Sequence, residues 1–544
     1  MLEKTTKIPS LKVQSAWLLF AKIVGFALSF LLPFLIVRFL SQEKVGIYKQ
    51  VFLVVGNAIT ILPLGISMSA YYFLSREKEE RQAATILNIL IFNFAAGGIA
   101  FFTLFFYPQL LGKIFKNTEI LEFAPKIGII IWIWIFSTFL ETVAVARREP
   151  RMATAFIILA QFSKMVLMVS AVVIFATVES FIYAAIIQGI LQTLILLFYL
   201  NSRFPRFWKS FDLQFFREQL IYALPFGFAA LLWTLQTDIH NYFVSYRFGE
   251  ANFAIYSIGC FELPLIAILS DSVTSVLIPR MSELQSKNEK REMIRLISRA
   301  MQKLAFFYFP IYIFLMITAQ TFIITLFTRD YLASVPILMI NLTLLPLYIW
   351  ITDPVFRAYK ELGRFLLILR VLIFLAMTAA LYFGIQHFDL RGMIAIVIVT
   401  ALVDRFITTT LAFKKLNVKA EDIYLLKDIG KTAAASLIAG AITFLFYWQF
   451  RETITNWGAD LTQMIFTAPK SGITDFISGN LVLSSSALVF APIYLFLMNY
   501  FGIIEEGEKE KLKSLVLSPL SFVKEKIQLR KTTDNRQTLR ATDN

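Results

Sequence analysis

Residues 224–284 read LPFGFAALLWTLQTDIHNYFVSYRFGEANFAIYSIGCFELPLIAILSDSVTSVLIPRMSEL, two long apolar spans joined by a short polar link. The first span carries Asp238 and His240 and closes at Arg247. The second carries Glu262 and Asp271 and closes in Pro279-Arg280-Met281-Ser282-Glu283-Leu284. An ionisable group inside such a span costs about 2.5–3.5 kcal/mol on insertion scales, so it is kept where it faces a protein interior or a water-filled cavity. The stretch predicts membrane helices wrapped around something polar.

The rest of the chain has the same character. Its 544 residues are 58% hydrophobic and 16% charged. Soluble domains are about 45–50% apolar and about 25% charged, so this is an integral membrane protein. Trp208, Trp448 and Trp457 fall near span ends, where interfacial aromatics are expected. The formal net charge of +15 reads as Lys and Arg gathered in cytoplasmic loops and near anionic headgroups. No separate basic domain or nucleic-acid motif appears, so nucleic acid is not an expected partner. The single cysteine, Cys260, excludes a disulfide framework and a cysteine metal site. Lys4, Lys7 and Lys12 lead into an apolar run too long for a signal-peptide core, which predicts an uncleaved first membrane helix.

With about 20 apolar residues needed per crossing, the chain offers fourteen spans. The first eight lie near Ala16–Leu40, Ile47–Leu74, Ala84–Tyr107, Ile127–Ala146, Met152–Ala176, Ser180–Leu200, Leu220–Tyr246 and Phe253–Leu277. The last six lie near Leu304–Leu326, Tyr331–Phe356, Phe365–Phe383, Met393–Phe413, Ile429–Trp448 and Leu481–Phe501. With both termini cytoplasmic, the inner segments before the tail carry about 28 Lys and Arg against about 11 in the outer links, as the positive-inside rule requires. Residues 282–303, with an apolar stripe at Met293, Leu296 and Ile297, read as an amphipathic helix on the membrane surface. The outer link 449–480 is long enough for a short surface helix. No loop is long enough for a catalytic domain, and the tail 503–544 is polar and expected to be disordered at its end.

The opening stretch also echoes the start of the chain. Arg38-Phe39 followed by Ile47-Tyr48 matches Arg247-Phe248 followed by Ile255-Tyr256, with one gap. Each pair sits at the same junction of two spans. This predicts a parallel repeat of six spans, a transporter architecture, with lobes at 1–203 and 204–416 and an added two-helix element at 417–502.

The residues around Asp238, Arg247-Phe248-Gly249, Ala254-Ile255-Tyr256-Ser257, Pro279 to Leu284, and Ala358 to Gly363-Arg364 resemble the polysaccharide-exporter branch of the multidrug/oligosaccharidyl-lipid/polysaccharide (MOP) flippase superfamily. The resemblance implies an all-α polytopic protein of about 14 transmembrane helices. It implies two six-helix lobes around a central cavity that opens alternately to each side, with the last two helices forming a groove for a lipid tail. It further implies export of an undecaprenyl-diphosphate-linked oligosaccharide across the cell inner membrane for O-antigen, capsule or exopolysaccharide synthesis, alongside polymerase or ligase machinery. A lipid II flippase and a cation-coupled multidrug antiporter of the same superfamily remain the alternatives. The arginine cluster of the lipid II flippases is matched only partly here, by Lys22, Arg38 and Lys49.

The embedded charges give the candidate cavity residues: Lys22, Lys49, Lys164, Asp238, Arg247, Glu262 and Asp271. A diphosphate needs cationic partners in a desolvated site, bidentate from Arg and as a point charge from Lys. Gln14, Asn57, Gln236 and Asn241 are available to sugar hydroxyls. The competing reading is that these charges pair with one another and hold helices together. For Arg38 and Arg247, near the outer interface, snorkelling is the stronger form of that reading. Asp353, Arg370, Asp404 and Arg405 read as a structural network, and His240 and His387 as ordinary polar residues. Pro33, Pro63, Pro225, Pro264, Pro310 and Pro346 permit kinks. No cofactor is expected. Transport is expected to draw on the membrane potential, with Asp238, Glu262 or Asp271 as sites for a coupled proton or sodium ion.

Overall fold

The structure, a computed structural model, describes residues 20, 24–25 and 30–504 except 75, 148, 210 and 468–470. Every element among them is helical, as lipid demands, because a helix satisfies its own backbone groups. Lys22, Gln14 and the tail lie outside the described residues.

The first continuous helix among the described residues is α1 (Phe30–Phe39). Ser41 caps α2 (Gln42–Ile61), its hydroxyl accepting from the Lys44 amide at 3.4 Å, so the first copy of the repeated motif is a tight inter-span turn. Pro63 and Gly65 (φ 74°) break the second span, which resumes toward α3 (Ser69–Phe73) at a 51° bend. Next come α4 (Glu79–Phe106), α5 (Gln109–Phe115), α6 (Glu119–Ser137), α7 (Phe139–Ala146), α8 (Pro150–Ser170) and α9 (Val178–Arg203). The later half opens with α10 (Leu213–Gly259), in which Gly249 at φ 77° breaks the helical path within the second copy of the motif. Then come α11 (Pro264–Ser286), α12 (Lys290–Phe327), α13 (Val335–Leu342), α14 (Leu344–Tyr348), α15 (Asp353–Ala358), α16 (Lys360–Gly384) and α17 (Leu390–Leu416), and finally α18 (Lys427–Ile465) and α19 (Ser471–Tyr500).

The second half repeats the first in register. Helices beginning at 79, 119, 150 and 178 have counterparts beginning at 290, 329 (a 3-10 stretch, Arg329–Ser334, that leads into α13), 360 and 390, each 210 to 212 residues later. Both of the spans that begin at 119 and 329 are broken, at Thr138 between α6 and α7 and at Thr343 between α13 and α14, though not at the same register. Among the described residues, eleven helices are long and apolar enough to cross a membrane, twelve with the bent α2–α3 pair. The all-α polytopic reading stands. Of the fourteen expected spans, the first is described as a helix only over Phe30–Phe39. The eighth departs from expectation: it is cut at Cys260–Leu263, and α11 carries Asp271, Arg280 and Glu283.

Two loop readings are corrected. Residues 282–303 form no separate surface helix, because α11 and α12 run through them with a turn at 287–289. Met293 and Ile297 are buried in the protein core, so the apolar stripe packs on protein rather than lipid. The long outer link is instead a continuation of α18 to Ile465. At 1.5 Å per residue this helix of 39 residues is about 58 Å long, against about 30 Å of hydrocarbon. Its projecting end packs on α19, Gly458 lying against Ser478. Arg329 grips Asp475 with both Nε and Nη2.

The halves meet along α2 and α10, which run antiparallel. Gln50 Nε2 donates to Ser245 Oγ (2.8 Å) and Asn57 Nδ2 to the Tyr242 hydroxyl (2.9 Å). Gly46 lies against Glu250 near one end and Gly227 against Leu64 near the other. On the Gly46 side, Arg38 donates to the carbonyls of Thr325 and Leu326, and Gln42 to that of Asp330.

Candidate functional site

A polar cavity of about 600 Å³ lies among α10, α11 and α14 to α17. Residues 349–352 between α14 and α15 are not helical there, which leaves main-chain carbonyls open to side-chain donors. Three arginines reach this space: Arg357, Arg370 and Arg405. Arg370 is tied to Asp404 (3.1 Å) and Arg357 to Asp353 (2.6 Å). Arg405 has no carboxylate within ion-pair distance among the described residues. Its guanidinium donates to the Trp350 carbonyl (3.2 Å), freed by the unwound backbone, and lies 6.0 Å from the Tyr348 ring centre. Asp271 and Gln236 line the same cavity. The expected Arg370–Asp404 network is therefore real, and it also forms a cavity wall.

The smaller cavity, about 220 Å³, lies within the first half, lined mainly by α6 to α9. Lys164 sits on its wall with the ammonium 5.2 Å from the Trp134 ring. Trp134 is fixed in turn by Nε1 donating to the Ala185 carbonyl (2.9 Å). Gln188 and Gln192, one turn apart on α9, and Glu141 share the lining. Helix α2 links the smaller cavity to the second half. Its Ile59 lines the smaller one, and its Asn57 bonds Tyr242 of α10, whose Gln236 lines the larger.

The other expected residues lie along the seam. Asp238 accepts from Asn241 (3.4 Å) and is electrostatically coupled to Glu262, which sits in the break before α11. Lys49 neighbours Cys260 at the same break. His240, buried, meets the Tyr256 hydroxyl through Nδ1 at 2.8 Å. Arg247 is exposed beside the Phe248 ring at 5.9 Å and lines neither cavity. Its repeat counterpart Arg38 caps the end of α12 through main-chain carbonyls. So Lys164 and Asp271 lie in different cavities, while Asp238, Glu262 and Lys49 share the seam. Arg357, Trp134, Gln188 and Gln192 were not singled out by the sequence. A one-turn spacing of glutamines on α9 was the available signal, masked by its apolar surroundings. No group of three or more metal-ligating side chains occurs among the described residues.

The model of a family described as polysaccharide biosynthesis protein matches residues 35–336. No curated protein matches the chain. Among solved structures, a lipid II flippase, MurJ, in an inward closed conformation superposes with TM-score 0.64 at 16% identity, covering 90% of this chain and 98% of that one. An inward-facing multidrug resistance MATE family transporter of the MOP superfamily gives TM-score 0.59 at 15% identity, covering 73% and 98%. A MOP superfamily transporter from Pyrococcus furiosus, reported with reversed polarity of its binding pocket, gives 0.54 at 16%, covering 76% and 99%. The class is thus a multi-pass membrane protein with the fold of the MOP transporters. The chain belongs to the polysaccharide biosynthesis protein family.

Proposed function

We propose that the chain is a carrier that moves an undecaprenyl-diphosphate-linked oligosaccharide from the cytoplasmic to the outer leaflet, with both termini cytoplasmic. The observation that carries this reading is Arg405. It is a cation with no ion-pair partner among the described residues, held on the wall of a polar cavity beside two ion-paired arginines. A desolvated diphosphate calls for such bidentate donors. Gln236 and Thr408 on the same wall supply groups for sugar hydroxyls. Family membership in polysaccharide biosynthesis supports the glycan part of the reading.

In this account the face bearing the α1–α2 turn is the outer one. The contacts of Arg38, Gln42 and Gly46 hold the two halves together there, and their release accompanies outward opening. An anionic headgroup moving outward is favoured by about 2.3 kcal/mol per charge per 100 mV. Asp238 and Glu262, coupled at the seam, are the proposed sites for a proton or sodium ion on the return step. Depleting the protein from cells and measuring lipid-linked glycans by mass spectrometry tests the reading. Accumulated undecaprenyl-diphosphate oligosaccharide supports it. Accumulated lipid II points to the peptidoglycan-precursor alternative. Normal lipid pools with altered sensitivity to cationic drugs point to the antiporter.

A further inference from the structure

The smaller cavity is lined by polar groups from three helices, Glu141 of α7, Lys164 of α8, and Gln188 and Gln192 of α9. Gln188 and Gln192 are 4% and 9% exposed, and neither side-chain amide makes a hydrogen bond among the described residues. Both side chains line the cavity, so their amides are presented to a guest with hydrogen-bonding groups of its own. Lys164 contributes a charge to the same wall, with no carboxylate within ion-pair distance among the described residues, and the Trp134 face holds it in place.

The chemistry of the wall narrows the guest. A phosphate offers only acceptors, which would leave the amide oxygens unmet, whereas sugar hydroxyls both donate and accept. The ammonium of Lys164 calls for an anionic group on that sugar. The volume, about 220 Å³, falls below the roughly 300–1,000 Å³ of pockets for drug-sized ligands and suits a single monosaccharide.

We infer that this cavity is a subsite for a carboxylated sugar of the transported glycan, with Lys164 receiving the carboxylate and Gln188 and Gln192 the ring hydroxyls. The inference rests on the carrier reading and sharpens it: the substrate is an acidic, uronate-bearing oligosaccharide. Its diphosphate and its acidic sugar occupy two cavities, one in each half.

The test is binding to the purified full-length chain, with two lipid-free probes. One is a glucuronic-acid-containing disaccharide and the other its neutral glucose analogue. Calorimetry is expected to show the acidic probe binding roughly tenfold more tightly, equivalent to about 1.4 kcal/mol. Lys164→Gln is expected to erase that ratio and Lys164→Arg to retain most of it. Gln188→Leu is expected to weaken both probes together, which covers the case where Lys164→Gln does not fold. Equal binding of the two probes, or an unchanged ratio in a folded Lys164→Gln protein, overturns the subsite. Flipping of a lipid-linked uronyl substrate in liposomes is measured in parallel. Binding with the expected ratio but no flipping contradicts the carrier reading and leaves the subsite standing. Flipping without the ratio does the reverse.

Discussion

Gly46 packs so closely on the main chain of Glu250 that a Cβ added to it would stand 2.0 Å from the Glu250 carbonyl oxygen. The two residues belong to the two copies of the repeated turn motif, so the halves touch backbone to backbone there. Only glycine permits this approach, and any side chain must push the halves apart. Gly46→Val is therefore expected to loosen this face, with overpacking costing about 1–3 kcal/mol. Hydrogen exchange should rise in residues 42–50 and 245–252 together. Unchanged exchange in both segments would contradict a contact maintained by the glycine.

Arg38 acts at the same face through three carbonyls, those of Phe34, Thr325 and Leu326. Its fork satisfies the end of α12, whose last carbonyls have no intrahelical partner. Charge-assisted bonds of this kind contribute about 1.5–3 kcal/mol each. Arg38→Ala is expected to lower the thermal stability of the solubilised protein by several degrees. Arg38→Lys should recover only part, because a point charge cannot reach both ends of the fork. Full recovery by lysine would show that charge alone matters.

Arg370 and Asp404 separate structure from transport. Asp404 is buried, and its Oδ1 makes no hydrogen bond. Removing Arg370 alone leaves that carboxylate uncompensated, at a cost of about 3–5 kcal/mol, whereas replacing a whole buried pair with apolar groups is often neutral. Arg370→Met is expected to express poorly, and Arg370→Met with Asp404→Leu to recover folded protein. If the arginine also meets substrate, transport should not recover with folding. Normal transport by the double variant would make the pair purely structural.

Asp238 and Glu262 are assigned here to the return step. Asp238→Asn combined with Glu262→Gln is therefore expected to slow repeated turnover more than the first one. Stopped-flow measurement of lipid flipping resolves the two. Equal slowing of both phases would move these acids from the return step to substrate handling.

The sequence was most legible where periodicity and composition decide. Apolar spans, the Arg-Phe to Ile-Tyr repeat and the embedded acids were all visible. It misled where a helix continued past the membrane. Arg451, Glu452 and Asn456 looked like loop residues, yet they lie on the projecting end of α18, whose Gly458 packs on α19. The stripe at Met293 and Ile297 had the period of a surface helix, and nothing local told protein from lipid as its partner. The cavities were least legible. Arg405 and Asp271 are 134 positions apart and line one cavity only because α16 and α17 fold back beside α10 and α11. Lys164 had no sequence neighbour to explain it, because the group it meets is the ring of Trp134.

The most direct test uses liposomes containing the purified chain and a fluorescent undecaprenyl-diphosphate oligosaccharide, with arrival at the outer leaflet read by a membrane-impermeant quencher. The wild-type chain should move the lipid well above empty liposomes. Arg405→Gln should slow it by roughly tenfold or more, the scale of one lost charge-assisted contact. Movement no faster than in empty liposomes, or equal rates with and without Arg405, would contradict a carrier that holds its diphosphate in this cavity.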